Sequence, residues 1–374
     1  MTSSAKTALC LTGGGVTGGL YQIGALAALE DVIEGLSFDI YLGTSSGASI
    51  AAALAGGVSL RRLYRALLDP ADNYFPLERN HIMSLDFDEW RRTIFSGMSS
   101  MRHGFASLVA RTPAPAPNDL WEQLDRLYDA LPAGLFTLDR YETFLSDFFL
   151  RRGVPNSFRA LGKQLLIPAN DLDAGELVMF GSPGLDHVPV SLACAASMAL
   201  PLFFSPVRVG TRFYIDGGVG RINDIEAAAE RGAELVVVVN PNVPIRAANA
   251  SGVPTGHGSG SSLRDKGMMW VYNQAMRCGV QARLQEAIER VQSKRSIEVL
   301  LIEPESSETL RFLHNAASFS ARREILEWSY RSTRELVRRW VADHKPVADS
   351  YGWHATASTD GASIPPPPPP ANID

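Results

Sequence analysis

Residues 42–49 are LGTSSGAS, and this stretch decides how the rest of the chain is interpreted. The apolar run before it, 38–42, predicts a strand, and the small residues at 48–55 predict a helix. Between them lies the G-x-S-x-G pattern of a nucleophile elbow, centred on Ser45, in the strand–turn–helix context that the pattern needs. We therefore expect the Ser45 hydroxyl to stand at the positive end of the following helix.

A glycine-rich loop follows the first predicted strand. Residues 7–11 are apolar without alternation, which predicts a strand buried on both faces. The loop itself, TGGGVTGG at 12–19, leads into a helical pattern over 20–30. Strand, loop, helix and elbow strand together form a β-α-β unit, so a parallel sheet is expected.

The glycine loop has more than one interpretation. Gly13-x-Gly15-x-x-Gly18 is formally the dinucleotide-binding pattern, but the acidic residue that holds a ribose belongs at the end of the second strand. Asp39 lies near the start of that strand instead, and no phosphate-loop lysine follows the glycines. The loop is either merely tight or an oxyanion hole, in which backbone N–H groups point into a site beside Ser45.

Ser45 needs a base, and histidine is not an obvious one. None of the seven histidines lies at a strand end in a tight motif, so no Ser-His-Asp triad is predicted. Asp216 ends a predicted strand and is followed by Gly217 and Gly218, which let another chain segment approach. A Ser–Asp dyad fits this pattern, although Asp-Gly is also a common turn.

Composition sets limits on the function. The 374 residues are 45% hydrophobic and 20% charged, an ordinary globular balance, and the net charge of −5 favours no nucleic-acid partner. Cys10, Cys194 and Cys278 show neither metal-ligand spacing nor a disulfide pattern. No metal is expected, because the cluster of His, Cys and carboxylates that one requires is absent, and we expect no cofactor. Without a signal peptide or an apolar span in the sequence, we expect a cytoplasmic protein.

The organisation predicted along the chain is one large domain, 1–345, followed by a disordered proline-rich tail at 346–374. Within the domain, 60–163 is a helical insertion with mixed aromatic, methionine and arginine residues, either a lid or an ordinary subdomain. The Gly/Ser-rich loop at 247–262 is expected to be flexible. Helices are predicted at 268–291 and 309–342.

Four motifs in order resemble the patatin-like phospholipases, a family of lipid acyl hydrolases with a Ser–Asp dyad. They are the glycine loop at 13–18, the elbow at 43–47, the block Ala-Ser-Met-Ala-Leu-Pro at 196–201, and Asp-Gly-Gly at 216–218. The family usually has Arg or Lys where Thr17 stands, so a charge near the oxyanion or a lipid headgroup is missing.

The resemblance implies a role for each motif residue. Ser45 would attack an acyl ester and Asp216 would take its proton. The oxyanion hole would be formed by Gly13, Gly14, Gly15, Val16 and Gly18. Gly43 and Gly47 would be the glycines of the elbow. The pocket would be shaped by Ser197, Pro201, Gly217 and Gly218.

The fold implied is a three-layer α/β/α patatin-like fold with a mostly parallel central sheet and a helical insertion. The expected partner is a lipid or acyl-ester substrate at a membrane or micelle surface, where the protein would be peripheral, with an activator possible and the oligomeric state open. Alternatives are an esterase or thioesterase acting on soluble acyl substrates, a nucleotide-binding protein, and a catalytically silent lipid-binding protein.

Overall fold

The computed structural model describes residues 6–86, 90–91, 131–220, 224–247, 252–255, 258–295, 297–313 and 319–356. The strands are β1 (Lys6–Leu11), β2 (Ile33–Glu34), β3 (Ile40–Gly43), β4 (Ser84–Leu85), β5 (Gly134–Thr137), β6 (Gln164–Asp171), β7 (Glu176–Phe180), β8 (Leu202–Phe204), β9 (Val207–Val209), β10 (Arg212–Asp216), β11 (Ala233–Val239), β12 (Val253–Thr255), β13 (Gly258–Gly260), β14 (Glu298–Ile302) and β15 (His354–Ala355).

The α-helices in the same residues are α1 (Gly15–Val32), α2 (Ser46–Ala55), α3 (Leu60–Leu68), α4 (Arg79–Ile82), α5 (Asp139–Arg152), α6 (Val190–Met198), α7 (Asp224–Glu230), α8 (Met268–Arg295), α9 (Phe319–Asp343) and α10 (Lys345–Ser350). Short 3₁₀ helices are found at Phe158–Ala160, Leu263–Lys266 and Ser306–Leu313.

The central sheet has the order β14-β11-β1-β3-β6-β10-β9, with β7 paired to β6. The five strands from β14 to β6 run parallel to their neighbours. Strands β10, β9 and β7 join antiparallel. The sheet is therefore mostly parallel, as predicted, with an antiparallel edge.

Helices cover both faces of this sheet, which makes a three-layer α/β/α arrangement. Leu9 and Leu11 of β1 face a core shared with α1, α2 and α9. Ala8 and Cys10 face the opposite core, which is shared with α7 and α8. Because both faces are buried, the central strands are continuously apolar instead of alternating.

Some expectations about the second half of the chain need correction. Residues 346–356, assigned to a disordered tail, instead form α10 and β15, and β15 pairs with β2 near the buried ring of Trp353. The helix predicted at 309–342 is divided into a 3₁₀ helix, Ser306–Leu313, and α9. Burial of apolar groups from distant elements, which local periodicity cannot show, stabilises these segments.

The predicted insertion and loop are covered only in part. Within 60–163, the described elements include α3, α4, β4, β5 and α5, and residues 92–130 lie outside the described residues. In the loop predicted as flexible, β12 and β13 pair antiparallel. The proline-rich run after residue 364 also lies outside the described residues. No described helix is long and apolar enough to cross a bilayer.

Candidate active site

The elbow has the geometry that its sequence pattern predicts. Ser45 joins the end of β3 to the start of α2 with φ 55° and ψ −126°, a conformation that is strained for a residue with a side chain. A side chain on Gly47 would collide with the Leu11 carbonyl, and one on Gly43 would come within 2.7 Å of the Ala48 Cα. Both elbow glycines are therefore needed for strand and helix to pack this closely.

The glycine loop lies directly against Ser45. Strands β1 and β3 are parallel neighbours with Leu11 opposite Gly43, so both loops leave the same edge of the sheet. A side chain on Gly13 would place its Cβ 2.7 Å from the Ser45 Cβ. Gly14 and Gly15 have φ values of 141° and 63°, and α1 begins at Gly15. The loop conformation is thus accessible to glycine and difficult for other residues.

Two helices start beside the serine hydroxyl, α1 at Gly15 and α2 at Ser46. The first backbone N–H groups of a helix have no partner within that helix, and its dipole is positive at this end. Val16 in the first turn of α1 is 40% exposed, and Gly18 packs against Pro241. The arrangement can stabilise a negative charge that develops next to Ser45.

Asp216 reaches the serine because β10 runs against the parallel strands. Strand β6 runs parallel to β3 with Leu166 opposite Leu42, and then continues past the end of β3. Strand β10 returns antiparallel along that extension and ends with Asp216 opposite Ala169. The last residue of this returning strand therefore lies at the edge where the elbow stands. There the Ser45 hydroxyl lies beside the Asp216 carboxylate and acts to lower its pKa.

The environment of Asp216 changes its acidity. The side chain is 3% exposed, and burial raises its pKa to about 6. The Ser45 hydroxyl and the Gly218 N–H, which donates to Oδ1 at 2.7 Å, limit the rise because they stabilise the charged form. An aspartate with this pKa is ionised at neutral pH and still a stronger base than an exposed one.

The glycines after Asp216 make room for its neighbours. A side chain on Gly217 would collide with the Pro168 carbonyl, whereas Gly218 turns its N–H toward Asp216. The Asn170 side-chain amide donates to the Asp216 carbonyl at 2.7 Å. The backbone around the carboxylate is therefore fixed on two sides.

Ser197 was predicted only to shape the pocket, but it also holds the backbone of Ser45. Its Oγ accepts a hydrogen bond from the Ser45 backbone N–H at 3.0 Å, and two residues later the Ala199 carbonyl accepts from the Asp216 N–H at 2.9 Å. The block around α6 thus binds the backbones of both residues at once. Pro201 follows the end of this helix and precedes Leu202, which has a φ of 71°. The available signal was a serine at the end of a largely apolar helix, although Ser191 of the same helix offers a similar one.

A second buried carboxylate lies beside the elbow. Asp224 is the first residue of α7, and its Oδ2 accepts a hydrogen bond from the Thr44 hydroxyl at 2.9 Å. Burial raises its pKa to about 6 as well. The raised pKa alone therefore does not distinguish Asp224 from Asp216 as a candidate base.

The nucleotide interpretation of the glycine loop receives no geometric support. Asp39, the acidic residue of the second strand, accepts from the Thr7 backbone N–H at 3.0 Å, and it precedes the first residue of β3. It therefore lies at the edge of the sheet opposite the loop. Among the described residues, no group of three or more His, Cys, Asp or Glu side chains is arranged to hold a metal ion.

An apolar cavity of about 250 Å³ opens next to the elbow. Its lining begins at Gly15, Val16 and Ser46 and extends between α1 and α2. Helix α3, the segment 75–83 and α5 provide the other walls. The cavity offers an apolar group a place beside the serine.

The fold and the site together define an α/β protein with a nucleophile elbow at the carboxyl edge of a parallel sheet. A family model described as patatin-like phospholipase matches residues 9–229, more than half of the chain. The chain belongs to the patatin-like phospholipase family, which confirms the resemblance seen in the four motifs.

Individual relatives are more distant. The uncharacterized protein YqhO of Bacillus subtilis (strain 168) is 27% identical over 220 residues, 56% of this chain and 62% of YqhO. VipD from Legionella pneumophila aligns with 15% identity and a TM-score of 0.39 over 89% of this chain and 66% of VipD. The type III effector protein ExoU from Pseudomonas aeruginosa aligns with 16% identity and a TM-score of 0.35, over 90% of this chain and 53% of ExoU. The chain spans less than two thirds of each of these proteins.

Proposed function

We propose that this protein is a serine acyl hydrolase that cleaves fatty-acyl ester bonds of lipids, including phospholipids, with Ser45 as nucleophile and Asp216 as base. The observation that carries the proposal is the position of the Ser45 hydroxyl: it stands at a strained elbow, in contact with a glycine loop, and beside the buried Asp216 carboxylate, whose pKa it lowers. Membership of the lipid-hydrolase family supports the choice of substrate.

In the acylation step, the Ser45 oxygen attacks the ester carbonyl while its proton moves to the Asp216 carboxylate. The carbonyl π electrons move onto the oxygen and give a tetrahedral oxyanion. When the intermediate collapses, the bond to the leaving alkoxide breaks, and the proton on Asp216 passes to that oxygen. Water then attacks the acyl-serine while its proton moves to Asp216. The bond between the acyl carbon and the Ser45 oxygen breaks, the proton on Asp216 returns to that oxygen, and the fatty acid leaves.

The oxyanion is stabilised by the N–H groups of the glycine loop. The Ser45 N–H is not available for this task because it donates to Ser197 Oγ. The donors that remain nearest the serine are those of the loop from Gly13 to Val16 and the Ser46 N–H that opens α2. Such fixed donors are commonly worth about 3 kcal/mol of transition-state stabilisation each.

Because Thr17 replaces the basic residue common in the family, the loop adds no full charge to its backbone dipoles. The cavity beside the loop has exposed apolar residues, since Val16 and Met83 line it and are 40% and 43% exposed, and its lining also includes the charged residues Glu78, Arg79 and Arg322. Exposed apolar residues next to basic ones fit a substrate that is presented by a membrane or a micelle.

The experiment is labelling with a fluorophosphonate probe together with hydrolysis of p-nitrophenyl butyrate. We expect wild type to label and to turn over, and Ser45→Ala to do neither. Ser37→Ala and Asp39→Asn, changes at the opposite edge of the sheet, serve as matched controls and should behave as wild type. A folded wild-type protein that neither labels nor hydrolyses esters, with or without phospholipid vesicles, would contradict the proposal and favour a lipid-binding role.

A further inference from the structure

The glycine loop also packs against a segment that follows β11. Strands β1 and β11 are parallel neighbours with Leu11 opposite Val239, so the chain after β11 leaves the sheet at the same edge as the loop. A Cβ on Gly14 would lie 2.9 Å from the Pro241 Cγ, and one on Gly18 would lie 3.1 Å from the same atom. The Pro241 ring is therefore in close contact with the loop that the proposed mechanism uses as the oxyanion hole.

The segment 240–245 belongs to no strand or helix, and one face of α8 holds it in place. Gln274 exchanges two hydrogen bonds of 3.0 Å with the backbone of Ile245, and Gln281 accepts one from the Asn240 side chain at 2.9 Å. The residues of α8 that bind the segment are spaced three and four positions apart, as on one helix face, and they are Gln274, Arg277 and Gln281. All three lie after residue 229, where the match to the family model ends.

Arg277 is the charged member of this face, and it is 3% exposed. Its Nη1 donates to the Pro241 carbonyl at 2.9 Å and to the Val243 carbonyl at 3.1 Å. Its Nε donates to the Asn273 side chain at 3.0 Å, and the guanidinium carbon lies 4.8 Å from the centre of the Phe312 ring. The two carbonyls are outside any regular element, so the guanidinium provides hydrogen bonds that no sheet or helix supplies.

The charge of Arg277 is buried without an acidic partner. In the part of the chain that the structure describes, no carboxylate forms an ion pair with it, and burial alone lowers its pKa, to about 10. The guanidinium is therefore protonated at neutral pH. A buried, unpaired cation makes folding less favourable, and an apolar side chain would avoid this cost. Because its carbonyl acceptors adjoin the glycine loop, the position of Arg277 indicates a role in the site beyond stability.

We propose that Arg277 is a positioning residue for the oxyanion hole: it holds Pro241 against Gly14 and Gly18 and thereby fixes the direction of the loop N–H groups beside Ser45. The inference rests on the proposed function and deepens it. Arg277 acts through Pro241 and not on the substrate. Donors aimed at an oxyanion act only when that charge develops, so their misalignment lowers kcat and leaves KM largely unchanged.

The first test is the kinetics of p-nitrophenyl butyrate hydrolysis. Arg277→Met should lower kcat about thirtyfold and leave KM within about threefold of wild type, because it leaves two buried carbonyls unpaired and frees the loop. Arg277→Lys keeps a cation that can donate to the same carbonyls, so kcat should stay within about fivefold of wild type. An unchanged kcat in Arg277→Met, or a loss expressed only in KM, would overturn the inference.

A matched control tests whether any arginine that binds the backbone has this effect. Arg231 is partly buried and donates to the Ala227 carbonyl at 3.1 Å, but it stands just before β11, at the opposite edge of the sheet. Arg231→Met should therefore leave kcat within about twofold of wild type. A loss of kcat in Arg231→Met as large as that in Arg277→Met would contradict a specific role for Arg277.

A second variant tests the contact through which Arg277 acts. Pro241→Ala keeps the carbonyl that Arg277 binds and removes the ring atoms that touch the glycine loop, so kcat should fall by about tenfold. Because both changes weaken the same contact, the double variant should be no more than about twofold slower than Arg277→Met. Effects that multiply in the double variant would show that Arg277 does not act through Pro241.

Hydrogen exchange distinguishes failure of this inference from failure of the proposed function, because it needs no turnover. In Ser45→Ala, the amides of residues 12–18, including the Gly18 N–H that is hydrogen-bonded within the loop, should exchange at least about tenfold faster when Arg277→Met is added. Adding Arg231→Met should leave them unchanged. Unchanged exchange with Arg277→Met would overturn the inference even in a protein that hydrolyses esters. Faster exchange in a protein that never hydrolyses esters would uphold the positioning of the loop and reject the proposed function.

Discussion

Two consecutive hydroxyl residues each meet a buried carboxylate, and the contrast between the pairs identifies the one suited to catalysis. The Thr44 hydroxyl donates a hydrogen bond to Asp224, and the Ser45 hydroxyl lies beside the Asp216 carboxylate. The two carboxylates are 4% and 3% exposed, and burial raises the pKa of each to about 6. By exposure and acidity the pairs are equivalent.

They differ in backbone conformation and surroundings. Ser45 has a positive φ and stands against the glycine loop, whereas Thr44 continues the strand and donates its N–H to the Leu11 carbonyl. Asp224 begins α7 on the other face of the sheet, where burial and, to a smaller extent, the Asp224 charge raise the pKa of the Cys10 thiol. A raised pKa marks a candidate, but strain, nearby donors and an adjoining cavity separate a catalytic pair from a structural one.

The largest effect is expected at the two hydroxyls. Ser45→Ala removes the nucleophile and should lower kcat by at least about 10⁴-fold. Thr44→Val removes only the hydrogen bond to Asp224 and should lower kcat by less than about thirtyfold, with a loss of about 1–3 kcal/mol in unfolding free energy. The measurements are p-nitrophenyl ester kinetics and urea unfolding. Equal losses of kcat in the two variants would erase the distinction between the pairs.

Replacing the two carboxylates should also lower kcat unequally, by a smaller difference than replacing the two hydroxyls. Asp216→Asn keeps the shape of the side chain and removes its basicity, so we expect kcat to fall by roughly 10³-fold. Asp224→Asn keeps an acceptor for Thr44 and should cost less than about tenfold. Single-turnover kinetics with the same ester measures both. An Asp224→Asn variant as slow as Asp216→Asn would mean that Asp224 also takes part in the chemistry.

The pH dependence sharpens the comparison further. In the proposed mechanism Asp216 acts as a base and must be ionised, so kcat/KM should fall about tenfold per pH unit as the pH drops below about 6. Asp224→Asn should leave the midpoint of this acid limb in place because Asp224 is not among the groups that shift the pKa of Asp216. A limb that moves by a full pH unit in Asp224→Asn would show that the two carboxylates are coupled.

The same raised pKa values should make the free energy of unfolding fall as the pH rises, whereas kcat/KM should rise with pH. An unfolded aspartate titrates near about 3.9, so between about pH 4 and pH 6 the folded state binds more protons than the unfolded state. The stability contributed by the two protonated side chains is thus complete below about pH 4 and is lost as the pH rises through about 6. Each of Asp216→Asn and Asp224→Asn should flatten this decline, which thermal unfolding at a series of pH values will measure.

The smallest effect concerns the strain at Ser45. Glycine adopts φ 55° readily and alanine does not, so Ser45→Gly should be more stable than Ser45→Ala by about 1 kcal/mol. At Ser49, inside the regular helix α2, the order should reverse, with the glycine variant about 1 kcal/mol less stable than alanine. Denaturant unfolding of the four variants provides the comparison. The same order at both positions would argue against stored strain at the elbow.

Local features of the site were predictable because they depend on residues close together in the chain. A tight strand–helix turn needs Gly43 and Gly47 where they are, and a strand buried on both faces is apolar throughout, as β1 and β11 are. The boundaries were less accurate. Helix α1 begins at Gly15, five residues before the apolar pattern, because glycines carry no periodic signal.

Contacts between distant segments could not be predicted from the pattern. Ser197 was expected only to shape a pocket, yet its hydroxyl accepts the Ser45 N–H from 152 residues away. Asp224, the first residue of α7, accepts a hydrogen bond from the Thr44 hydroxyl, 180 residues earlier. Hydrogen-bonding capacity is a property of the residue, but the choice among possible partners depends on how the strands are ordered in the sheet.

By itself, the sequence determined that a serine would be held in a strained turn beside a loop of glycines, because only the residues in those turns decide which backbone conformations they can adopt. Only the tertiary structure decided that Asp216 would meet that serine. The meeting depends on β6 extending past β3 and on β10 returning antiparallel along the extension, so that its last residue reaches the elbow. Strand order and direction are properties of the whole sheet, set by burying apolar side chains that are far apart in the chain.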